Sequence, residues 1–159
     1  MTTEDDIREV LWNEEFADSG SLLEQYKVYV EMADRISQRR GAANTFFLTF
    51  NTAVVGALAG FYKDVPPDVS VAMYAAAAVL SIAWGVLLRS YRNLNTAKFT
   101  VIGMLEERLP ANPYYKAEWK ALGEGKDLRR YIPLSAIETV VPAVFFLIYI
   151  YLFVVTWSQ

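Results

Sequence analysis

Glu138 is the one ionisable side chain inside the three long apolar runs of this 159-residue chain. An acid at such a depth signals function by default, through ion attraction or proton relay. A second reading competes, because Ser135-Ala-Ile-Glu138 has the form of a capping box, whose serine and glutamate side chains satisfy free amides at a helix start. Pro142, four residues on, is expected to kink that helix, either as a gate or as a packing feature. The next candidate is a polar stripe: Asn44 and Asn51 are spaced by seven, as are Thr45 and Thr52, so all four should project from neighbouring positions on one helix face. Such groups line an aqueous path or hydrogen-bond across a helix interface. Gly56 and Gly60 form a small-xxx-small pair suited to close helix packing.

Most other chemistry is closed. The chain has no His and no Cys, which removes disulfides, thiol nucleophiles, imidazole bases and Cys/His metal sites. It has no Walker loop, no GxGxxG and no aromatic-basic interleave, so no nucleic-acid partner and no cofactor is expected. The basic cluster Lys116, Lys120, Lys126, Arg129 and Arg130 is read as contacting anionic lipid headgroups, each charge worth about 1 kcal/mol there. With no metal site and no catalytic residue in view, the chain reads as a protein other than an enzyme.

The elements that carry these residues emerge from the apolar runs. Residues 42–61 and 69–88 are free of charge, and 137–157 holds only Glu138. Each is close to the ~20 residues that cross a hydrocarbon core. The fold class is therefore an all-α integral membrane protein with three transmembrane helices. The link between the first two has only Lys63, whereas Arg39 and Arg40 precede the first span and Arg89, Arg92 and Lys98 come after the second. Positive flanks lie inside, so the amino terminus is expected in the cytoplasm and the carboxyl terminus outside.

The first two spans should continue into the cytoplasm as a long helical hairpin. Ser21-Leu-Leu-Glu24 is a capping box from which a helix runs into the first span, with Gly41 as its weak point. Asp68 is expected to cap the second helix and Pro110 to end it. Asn112-Pro113 should start a short third cytoplasmic helix, stopped by Gly123 and Gly125. In domain terms, 1–20 is an acidic cytoplasmic segment and 21–159 a single membrane domain, with a cytoplasmic helical region at 89–135. Through Gly41 the chain has ten acids against five bases, while 89–135 has five against nine. The two parts are electrostatic complements, and their contact is expected between subunits.

Three stretches read together carry a resemblance: LLEQYKVYVEMADRISQRRGAANTFFLTFNTA, WGVLLRSYRNLNTAKFTVIGMLEERLP and YYKAEWKALGEGKDLRRYIPLSAIETVVP. They resemble the small bacterial RipA family of octameric membrane proteins, over roughly Leu22 to Pro142. The resemblance implies a bacterial inner-membrane protein that assembles as a ring of eight, with no assigned catalytic activity. The helices by themselves support self-association without a number. The leading functional reading is a channel-like or scaffolding homo-oligomer. The alternative is a membrane-anchored adaptor, in which Ile7, Leu11, Trp12 and Phe16 on an amphipathic helix recruit a soluble protein partner.

Overall fold

A computed structural model describes residues 4–13, 19–61, 64–124 and 134–158 of the chain. They form α1 (Glu4–Leu11), α2 (Ser19–Phe61), α3 (Pro67–Glu106), a π-helix (Pro113–Glu118) that runs into α4 (Trp119–Ala121), and α5 (Leu134–Trp157), with no strand among the described residues. α2 and α3 have 43 and 40 residues, so each is about 60 Å long at 1.5 Å per residue. They are joined as a hairpin. α2, α3 and α5 are all long and apolar enough to cross a membrane.

Helix boundaries depart from the sequence expectation in three places. α2 begins at Ser19, which puts Ser21 and Glu24 inside its first turns, and Glu24 there accepts from Lys27 Nζ at 2.7 Å. α2 passes through Gly41 unbroken, in keeping with the expected run of one helix into the first span. α3 begins at Pro67, whose missing amide costs nothing at a first helical position, and Ser70 N closes the turn onto Pro66 O at 3.0 Å. Asp68 thus sits within the first turn instead of capping it. α3 stops at Glu106, before Pro110, because the bonds Arg108 N to Leu105 O and Leu109 N to Glu106 O tighten the chain into a turn.

Contacts within the chain separate into two compact units. One comprises 38–92 and 133–159, and so holds the apolar parts of α2, α3 and α5. Its core is Leu58, Tyr74, Ala77, Ala78 and Tyr149, with Phe145, Phe146 and Leu152 packed against it. The small residues of α3 let the helices approach, and Trp84, fully buried, stacks on Phe47 at 5.8 Å between ring centres. Only 11% of the apolar window of α2, 33% of that of α3 and 11% of that of α5 is buried within one chain. Most of their apolar surface therefore faces outward.

The other unit comprises 1–37 and 93–132. Ala33 and Ile36 of α2 are buried there, as are Ile102, Met104, Leu105 and Glu106 of α3. The π-helix has Asn112 as its cap, the side chain accepting from Lys116 N at 3.1 Å, and Ala117 N bonds back to Asn112 O at 3.2 Å. Gly123, at φ 77°, turns the chain after α4, since a glycine has no Cβ to oppose a left-handed conformation. Gly125 lies outside the described residues.

Candidate functional site

In the first unit, α2, α3 and α5 meet around Asn51. This side chain is fully buried, and its Nδ2 donates to Phe47 O at 2.8 Å. Ser81 Oγ on α3 donates to Ala77 O at 3.0 Å and lies 3.4 Å from Asn51 Oδ1. Tyr149 on α5 donates its hydroxyl to Asn51 O at 3.3 Å. Polar groups in hydrocarbon must find partners inside the protein, and here three helices supply them. Sequence reasoning missed Ser81 and Tyr149, whose only signal is that each is a polar interruption of an apolar run.

The four residues of the expected stripe divide instead of sharing one face. Each helical residue turns the chain by 100°, so Asn51 points inward while Thr52 is exposed and bonds back to Leu48 O at 2.8 Å. Thr45 is exposed too. Asn44 is half-buried, with its Oδ1 enclosed and unmet by a donor. Gly56 and Gly60 have no atom within 4 Å of where a Cβ would stand, so this small-residue pair packs against nothing among the described residues.

Glu138 is fifth in α5, one position past the first turn, and the capping-box register does not hold. Its carboxylate instead faces Arg40 on α2, Oε2 to Nε at 3.4 Å, with side chains only 19% and 17% exposed. Nε makes no hydrogen bond, so the link is one of charge. Pro142 is buried inside an unbroken α5, 3.8 Å from where a Cβ on Gly85 would stand.

In the second unit the sequence reading missed Glu106, which organises the segment after α3. Glu106 is 1% exposed. Its Oε1 accepts from Tyr26 OH at 3.0 Å and from Tyr114 N at 3.1 Å, and its Oε2 from Tyr115 N at 3.0 Å. Two of these donors are free amides at the start of the π-helix, so the buried carboxylate is well served by hydrogen bonds alone. Burial first, and then the Glu106 carboxylate, push the Tyr26 phenol far above its ordinary value and keep it a donor. Gly103 makes room for the same segment: a Cβ there would stand 2.6 Å from the Tyr115 ring. Gly103→Ala is therefore expected to lower unfolding stability by about 1–3 kcal/mol, as overpacking does, and denaturant midpoints will measure it.

α1 docks on this segment. Arg8 pairs with Glu107 at 2.7 Å, the Arg108 guanidinium lies 3.6 Å from the Trp12 ring centre, and Tyr115 OH donates to Glu4 at 3.4 Å. These contacts lie within one chain, and in their ion pair the base comes from the acidic amino-terminal part and the acid from the basic region, so they are separate from the charge complementarity expected between subunits. Sequence charge alone shows complementarity and carries no information on which copy supplies it. The Arg8 hydrogen bond holds the Glu107 carboxyl below its usual value. That contribution is present above the unfolded value, about 4.3, and is lost as pH falls through the lower folded value. Trp12 emission, taken against Trp12→Phe, is expected to change on acidification below about pH 4 and to lose that step in Glu107→Gln.

Of the basic cluster, Lys116 and Lys120 are exposed on the π-helix and α4. Lys126, Arg129 and Arg130 lie outside the described residues. Comparisons with curated proteins and with solved structures find no match. A family model does match, over residues 23–158, which takes in all three apolar helices and the segment between them. Its description is the octameric membrane protein family, 8xMP, and the chain belongs to that family.

Proposed function

We propose that this multi-pass membrane protein assembles as a homo-octamer in the bacterial inner membrane and acts as a scaffold without catalytic activity. The observation that carries the reading is the outward apolar surface of α2, α3 and α5, most of which a single chain leaves uncovered. Subunits and lipid are what can cover it in a bilayer. The family description supports eight copies, and the ADRISQRR-to-AANTFFL junction supports the narrower RipA likeness. The inward turn of Asn51, with its partners supplied within the chain, favours a scaffold over a channel lined by that residue. For an adaptor, α1 would have to leave the contacts of Arg8 and Trp12 before recruiting a soluble partner.

In this proposal the unit containing α1 and the π-helix is cytoplasmic, with Lys116 and Lys120 against anionic headgroups, and the carboxyl terminus is outside. The natural chain has no Cys, so Ser158→Cys should react with a membrane-impermeant maleimide on intact cells, and Lys120→Cys only after permeabilisation. Light scattering of the detergent-solubilised protein should give eight copies of the 18.0 kDa chain. A monomer or dimer would overturn the assembly. Ion flux from loaded vesicles should match protein-free vesicles, and flux that Thr52→Leu abolishes would replace the scaffold with a channel.

A further inference from the structure

Beside the turn that joins α2 to α3, the spanning unit opens into a crevice of about 860 Å³ between α2, α3 and α5. Volumes of ~300–1,000 Å³ are usual for sites that hold small molecules. Its walls are largely apolar, with Leu58, Ile148 and Leu152 among them. Ser70 and Tyr74 line it as well, at 5% and 6% exposure, and neither hydroxyl has a hydrogen-bond partner among the described residues. A hydroxyl left unmet in such surroundings is costly, so the crevice lacks an acceptor as well as apolar filling.

We propose that the crevice binds an acyl chain of a membrane phospholipid, whose ester carbonyl accepts from Ser70 and Tyr74. Depth supports this occupant. Ser70 lies in the first turn of α3, at the edge of its apolar run, where lipid ester groups meet hydrocarbon, and Tyr74 is one turn deeper. Along α5 the lining runs from Val144 to Thr156, about 18 Å, comparable with the ~15 Å of hydrocarbon in one leaflet. A helix from a second copy fits less well. It is about 10–12 Å wide, and a helical carbonyl accepts a hydroxyl only as a second, shared bond of the kind Tyr149 makes to Asn51 O, whereas an ester carbonyl has both lone pairs free. Both donors are neutral, so the site is blind to headgroup charge.

The test is native mass spectrometry of the full chain, delipidated in mild detergent and reloaded with palmitoyl-oleoyl phosphatidylethanolamine or phosphatidylglycerol. The wild type is expected to retain one lipid per chain, with either headgroup. Ala59→Phe, which fills the crevice, should abolish retention. The pair Ser70→Ala with Tyr74→Phe adds no bulk and should weaken retention about ten-fold, as loss of one to two hydrogen bonds implies. Val86→Phe, on an exposed face of α3 that does not line the crevice, should leave it unchanged. Full retention in both crevice variants overturns the proposal. So does a fall in the number of chains per particle in Ala59→Phe with lipid still bound, which would assign the crevice to a second copy. The same spectra count chains, so failure of the lipid site and failure of the octamer are seen apart.

Discussion

Glu106→Ala is expected to lower the stability of the unit formed by 1–37 and 93–132 by about 3–5 kcal/mol. The substitution removes the acceptor for Tyr26 OH and for the amides of Tyr114 and Tyr115 at once. Each buried donor left unmet costs about 1–3 kcal/mol, and the values overlap because the three share one side chain. Glu106→Gln should cost less, about 1–2 kcal/mol, since its carbonyl oxygen still accepts while its amide nitrogen faces a donor. Tyr26→Phe should cost least, because two donors remain on the carboxylate. Denaturant midpoints give the order, and hydrogen exchange at the Tyr114 and Tyr115 amides gives the place. The order Ala, Gln, Phe with faster exchange at those two amides is the expected result. Unchanged protection in Glu106→Ala would show that the π-helix is held by Asn112 and Gly103 without the carboxylate.

Residues 106 and 107 also show where a sequence stops being informative. Glu106 and Glu107 are adjacent, identical in type and at the end of a long helix, yet one is 1% exposed and accepts three hydrogen bonds while the other pairs with Arg8 at the surface. Local pattern cannot separate them, because the donors that make burial tolerable come from residues 8 to 80 positions away. The three spans, by contrast, were legible from apolar runs of ~20 residues with at most one charge, since hydrocarbon thickness acts on each segment alone. The hairpin was legible from the short link and the continuation of apolar spacing on both sides of it. Asn51 was legible as a polar residue in an apolar helix, with its partners unknown. Ser21, Asp68 and Ser135 each stood near a helix start but not at the cap, because α2, α3 and α5 begin two residues, one residue and one residue earlier. Capping patterns in a long apolar helix compete with neighbouring residues that serve nearly as well, and terminal turns shift accordingly.

Breaking the Arg40 and Glu138 pair should be the second large effect, and it separates the two readings of Glu138. Removal of one member of a buried pair strands the other charge and costs about 3–5 kcal/mol when burial is complete. Here both side chains keep a little exposure, and a long arginine side chain can reach toward water, so Glu138→Leu should cost about 2–3 kcal/mol. Arg40→Leu should cost at least as much, because a short glutamate cannot reach so far. The double variant Arg40→Leu with Glu138→Leu should recover most of the loss, as apolar replacements of buried pairs often do. For a chain of this length that means melting midpoints about 5–10 °C lower in each single variant and near the wild type in the double. A capping role for Glu138 predicts otherwise: the helix start would be weakened whether or not Arg40 is present, and the two losses would add. Additive losses would therefore return Glu138 to the helix end, whereas recovery in the double variant ties α5 to α2 through charge.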